Sequence, residues 1–132
     1  MKKLQIYIAA SFPRKNEACV LANMLAAMGH KITSRWHSED SSYATVEQMH
    51  NRAKRDYEDL DACNVFVSLT GDNLTHGGRH AEFGFALAMS KRVILIGERE
   101  HVLHWCSGVE LYKDVEEFLR YGLIEQPNYD EE

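Results

Sequence analysis

No stretch of this sequence is dense in lysine or arginine. Fifteen basic residues face twenty acidic ones, for a net charge of −5 with histidines neutral. Without a basic stripe to neutralise phosphates, a nucleic-acid polymer is not an expected partner. A small anion held by one or two local cations still is. No apolar run approaches the roughly 18 residues of a membrane span, and no membrane partner is expected. The run from Leu4 to Ala10 is seven residues long and then meets "SFPRKNE", so it reads as a first β-strand and not a signal peptide. Cysteine is scarce: Cys19, Cys63 and Cys106 are odd in number and lack CxxC spacing. That argues against a disulfide framework or a structural zinc site, and it fits a reducing, cytoplasmic setting.

Several chemical signatures are missing as well. The loop at 70–79 lacks GxxxxGK[ST], and no GxGxxG follows the first strand. Nucleoside triphosphate hydrolysis and dinucleotide binding are therefore not expected. Seven histidines invite a metal reading, with His76 and His80 four apart and His101 and His104 three apart. Yet HExxH and a downstream PCxxC are absent, so zinc-protease and zinc-deaminase chemistry lack support. We expect no metal and no cofactor. Cys19 and Cys63 fall in expected core elements, which disfavours a cysteine nucleophile.

What remains is ordinary globular composition, 132 residues with 45% apolar and 27% charged. That suffices for one domain, expected over 1–124, followed by an acidic tail over 125–132. Strands are expected at 4–10, 31–36, 64–69 and 92–97, with an edge strand at 109–112. Helices are expected at 16–28, 45–60, 79–89 and 114–123, with Val46, Met49, Ala53 and Leu60 marking one face of the second. A polar loop spans 37–45, and 97–108 is a loop with a short helical turn. Strand and helix alternate throughout, without repeats or linkers. The pattern predicts an α/β fold: a doubly wound, parallel, five-stranded sheet in flavodoxin-like order 2-1-3-4-5, with helices on both faces. Ligands in such sheets lie beyond the carboxyl ends of strands 1 and 3. The loops at 10–15, 70–79 and 97–107 then matter most.

The stretch "GGRHAEFGFALA" places Gly77, Gly78 and Arg79 before one acid, Glu82, at the mouth of an apolar helix. In the first helical turn, unpaired backbone N–H groups would keep this carboxylate ionised at neutral pH. An ionised, partly desolvated carboxylate is what a covalent glycosyl intermediate requires. The plainer alternative is a first-turn acid that only caps the helix. Gly84, within the helix, is expected to allow a close approach by a ligand or backbone. Four acids fall within 56–61. Glu58 reads as solvated, whereas Asp56 and Asp59 share a face and one can reach the crevice as a proton donor if burial raises its pKa. Tyr7, mid-strand, reads as a core aromatic whose hydroxyl needs a partner such as a carboxylate.

Taken together, "IYIAASF" (6–12), "RDYEDLDACNVFVSL" (55–69) and "HGGRHAEFGFALAMSKRVILIG" (76–97) resemble the nucleoside 2-deoxyribosyltransferase family and its nucleotide N-glycosidase relatives. The resemblance covers 4 to about 112, and its strongest element is the G-x-x-x-E-[FLM]-G-[FY]-A core. It implies that Glu82 attacks the anomeric carbon, that Tyr7 orients that carboxylate, and that Asp56 protonates the departing base. It implies a small nucleoside or nucleotide as substrate. It further implies a homo-oligomer whose 97–107 loop, through His101 or His104, completes a neighbour's site. Ser11 and Phe12 belong to the first segment. Where free-nucleoside transferases often carry an acid, this chain has His76, with Thr75 and Arg79 close by and Arg14 on the strand-1 loop. Loss of that acid removes repulsion against a 5′-phosphate; equally, Arg14 and Arg79 read as surface charges. Two rivals to such an enzyme remain: a non-catalytic nucleotide-binding module, and a metal-dependent hydrolase using His76 and His80.

Overall fold

The computed structural model describes residues 2–39 and 45–124. The sheet is five-stranded and parallel, in the order β2-β1-β3-β4-β5. Its strands are β1 (Gln5–Ala9), β2 (Lys31–Ile32), β3 (Val65–Leu69), β4 (Arg92–Ile96) and β5 (Glu110–Tyr112). β3 is buried at every residue, as a parallel strand covered on both faces must be. The expected doubly wound order is the observed one. No helix among the described residues is long and apolar enough to cross a membrane.

The helices are α1 (Lys15–Ala27), α2 (Val46–Ala62), α3 (Gly78–Ala88) and α4 (Val115–Glu117), the last continued by a wide turn over Phe118–Gly122. They divide the core into two halves because side chains alternate across a strand. Ile6 and Ile8 of β1 pack with Ala18, Leu21 and Leu25 of α1 and with Phe118 beyond α4. Tyr7 and Ala9 point the other way, into a cluster with Leu60 of α2 and with Phe83 and Ala86 of α3. That alternation places Tyr7 on the α2–α3 side. Thr45 caps α2, accepting from the Gln48 amide while its own amide donates to the Gln48 side chain, both at 3.1 Å.

Three expectations need correction. The second strand pairs only at Lys31 and Ile32, not over 31–36. Beyond Thr33, side chains replace the ladder: the Ile8 amide donates to Ser34 Oγ at 3.0 Å, and Trp36 Nε1 donates to the Ile8 carbonyl at 2.7 Å. The last helix is not regular over 114–123. Gly122 closes on Phe118, where a Cβ would lie 2.5 Å from the ring, and the Gly122 carbonyl accepts from Arg92 at 2.7 Å. Finally, Val46, Met49, Ala53 and Leu60 do not form one core face. Leu60 is buried, Val46 and Met49 are exposed, and Met49 and Ala53 line a crevice. Residues 40–44 of the polar loop and the 125–132 segment lie outside the described residues.

Candidate active site

The crevice opens at the carboxyl ends of β1 and β3, as the strand order requires. Its volume is about 620 Å³, within the range of small-molecule sites. Tyr7, Asp56 and Glu82 share its wall. The Tyr7 ring is buried and stacks on Phe66, with centroids 6.1 Å apart. A buried phenol needs a hydrogen-bond acceptor, and the Tyr7 hydroxyl donates to Glu82 Oε2. Among the described residues no other hydrogen bond reaches the Glu82 carboxyl, and Glu82 lines the cavity.

The setting of Glu82 differs from the sequence expectation in two ways. α3 begins at Gly78 with Gly77 as its left-handed cap, φ +104°. Glu82 therefore lies in the second turn, past the unpaired amides that would favour its charge. Burial pushes its carboxyl up to about 7, the Tyr7 hydrogen bond opposes this, and the Asp56 charge adds to it. Glu82 is thus not fully ionised at neutral pH. Asp56, half-buried, is likewise raised, chiefly by burial, with nearby Arg55 opposing. Two carboxyls, each pushed toward the neutral form and facing one cavity, are an arrangement of the kind that acid–base pairs use. Among the described residues no backbone approaches Gly84 closely: a Cβ there would meet open space. Asp59 does not face the cavity; it is buried and holds Arg35 through paired contacts of 2.7–3.1 Å. Glu58 is exposed, as expected.

The remaining residues separate cleanly. Ser11, Phe12, His76 and Gly78 line the crevice. Arg79 lines the crevice as well, and both it and Arg14 are already paired with carboxylates. Arg79 is buried and grips Glu100 with both terminal nitrogens, at 2.5 and 2.8 Å. Its Nε donates to Ser11 Oγ at 3.3 Å, and Nη2 to the Asp72 carbonyl at 3.3 Å. Arg14 pairs with Asp72 at 2.9 Å and with Glu17 at 2.9 Å. Although burial opposes it, hydrogen bonds from the Leu74 amide, Ser11 and Arg14 hold the Asp72 carboxyl down to about 2. His101 and His104 do not line this cavity. They turn inward, His104 fully buried, and meet His80, which the metal-hydrolase alternative joins to His76 instead. All three cysteines are free.

Sequence reasoning missed Trp36, Glu39, Met49, Arg52 and Arg55, which also line the cavity. Met49, Arg52, Ala53 and Asp56 follow helical spacing, so one face of α2 forms this wall. That spacing was visible, but an apolar face toward a cavity carries the same periodicity as one toward a core. Trp36 is fixed by its bond to Ile8, and Arg55 pairs with Glu39 across the same wall.

No family model matches the chain, and no curated protein does. Solved structures do match. The CMP N-glycosidase BcmB of Clostridium botulinum is 24% identical, with 88% of this chain and 96% of that one covered and a TM-score of 0.57. A 2-deoxyribosyltransferase from the psychrotolerant bacterium Bacillus psychrosaccharolyticus is 20% identical, with 83% of this chain and 86% of that one covered and a TM-score of 0.66. At these identities the likeness shows a common fold, the doubly wound sheet described above.

Proposed function

We propose that the chain is an enzyme of the nucleoside 2-deoxyribosyltransferase type that breaks the N-glycosidic bond of a nucleoside or its 5′-monophosphate. The observation that carries this reading is the Tyr7–Glu82 hydrogen bond at the wall of a cavity that Asp56 also lines. The resemblance of the 76–97 segment and the activities of the two structural relatives point the same way.

In this mechanism Glu82 Oε1 attacks C1′ of the bound pentose. The C1′–N bond breaks and its electron pair goes to the base, which takes a proton from the Asp56 carboxylic acid. A glycosyl ester on Glu82 results. A nitrogen of a second base then attacks C1′, Glu82 leaves as carboxylate, and Asp56 recovers a proton. Attack by water instead of a base makes the same site a hydrolase; that is the second reading, favoured by the N-glycosidase relative. Tyr7 holds Oε2 so that the other oxygen faces C1′. At the far end, Ser11, His76 and Gly78 are at hand for the sugar's 5′ side. The charges of Arg14 and Arg79 are already matched there.

The test is a panel of ribo- and deoxynucleosides and their monophosphates, with and without a free acceptor base, read by mass spectrometry. Base release without acceptor marks a hydrolase; exchange that needs acceptor marks a transferase. Glu82→Ala is expected to lower turnover by about a thousandfold or more while ligand still binds. A wild-type chain that binds nucleotides and turns over none of the panel is a binding module, and the proposal fails.

A further inference from the structure

Behind α3, away from the crevice wall, three imidazoles meet. His80 comes from the first turn of α3, and His101 and His104 come from the 3₁₀ turn over Val102–Trp105 and the residue before it. Ring centroids are 4.9 Å apart for His80–His101, 5.9 Å for His80–His104 and 3.8 Å for His101–His104. One donor atom from each lies within 4.8 Å of the other two. Phe83 packs edge-on against His104 at 4.6 Å and against His101 at 5.5 Å. His80 Nδ1 is buried and makes no hydrogen bond among the described residues, which is costly for a polar nitrogen. Nothing in the glycosidic chemistry proposed above uses these rings.

We propose that His80, His101 and His104 form a binding site for one borderline first-row transition ion such as Zn²⁺, fastening the 101–105 turn to α3. Imidazole nitrogen is a preferred ligand for such ions, and it must be neutral to bind. His104 is fully buried, and His80 Nδ1 is buried beside it. The charged groups facing them are Arg79, Glu100 and Asp72. Arg79 and Glu100 neutralise each other in a bidentate pair.

Binding requires two rearrangements. Tetrahedral zinc with Zn–N near 2.0 Å places its donors about 3.3 Å apart, so the set must contract by up to about 1.5 Å. His101, half-exposed at the start of its turn, is the ring able to move. His104 accepts the Glu100 amide through Nδ1 at 2.9 Å, so its proton resides on Nε2. To coordinate through Nε2 it shifts that proton to Nδ1, which turns Nδ1 into a donor and releases the Glu100 amide. No net proton is lost.

The test uses the full chain, stripped with chelator and desalted, then titrated with ZnCl₂ by calorimetry and with CoCl₂ by visible absorption. One saturable equivalent per chain is expected, with a raised Tm and a moved Glu100 amide resonance. His101→Gln, at a half-exposed position chosen to preserve folding, should weaken binding about tenfold or more. His50→Gln, on the exposed face of α2, should leave it unchanged. Absence of a saturable equivalent overturns the proposal. So does an affinity that His101→Gln does not alter, or a Glu100 amide that stays in place on saturation. None of these readouts depends on turnover, so the outcome is independent of the reading of Glu82.

Discussion

A carboxyl with a pKa near 7 is about half charged at neutral pH, and the attack on C1′ needs the anion. The value of kcat/KM, which reports the free enzyme, should therefore rise with pH through about 7. Its two neighbours act on that limb in opposite directions. The Tyr7 hydrogen bond lowers the Glu82 pKa, so Tyr7→Phe should move the limb to higher pH. The Asp56 charge raises it, so Asp56→Asn should move the limb to lower pH while cutting kcat by about 10²–10⁴. Rate profiles of the two variants check this; limbs that shift in the same direction would contradict the assignment. Stability follows from the same shift. Between the ordinary glutamate value of 4.5 and about 7, folded Glu82 binds more protons than unfolded Glu82. Stability must fall as pH rises through that window. Glu82→Gln removes the effect and should stabilise the fold by on the order of 2 kcal/mol at pH 8, with little gain at pH 4. Denaturant melts at the two pH values measure it.

α3 can present Glu82 only if its first turn is held, and the holding element is the Arg79 network. It ties Ser11 after β1, Asp72 after β3 and Glu100 after β4 to the start of the helix. Arg79→Met leaves the part-buried Glu100 carboxylate without its bidentate partner and should cost about 3 kcal/mol. In an Arg79→Met/Glu100→Gln double-mutant cycle the two losses should be strongly non-additive, as read by urea unfolding; simple additivity would remove the coupling. This network also shows where sequence reading stops. The strands around Tyr7 and Phe66 and the helix bearing Glu82 were legible, because apolar period and glycine caps are local signals. Arg79 looked like a surface charge or a phosphate ligand, because its partner lies 21 residues away in the sequence. The short β2 had the same cause: Ser34 and Trp36 take over the Ile8 backbone groups, a tertiary exchange that strand propensity does not encode. The charge state of Glu82 is set by burial, which its position in the helix does not encode.

For the whole molecule, the resemblance implied copies meeting through the 97–107 loop, with His101 or His104 reaching into a neighbour. The structure relocates the residues available for such a meeting. His104 is buried and His101 turns toward it, whereas Val102, Leu103 and Trp105 of the same turn are 80%, 51% and 69% exposed. Three large apolar side chains on one short turn make an unusual surface for an isolated chain. Trp105 is also stacked under the Arg99 guanidinium, 4.5 Å from the ring centroid, so its orientation is fixed before any partner arrives. If copies associate as the resemblance implies, the indole makes the contact and the imidazoles do not. Trp105→Glu should then shift the chain to a smaller species in sedimentation velocity, and Leu103→Glu should do so to a similar degree. His101→Gln should leave the oligomer unchanged. Activity sharpens the expectation. Were the turn to complete a neighbour's crevice, Trp105→Glu would raise KM as the oligomer dissociates, and raising protein concentration would restore it. A monomeric wild-type chain with full turnover would remove the partner from the mechanism and leave the crevice complete in one copy.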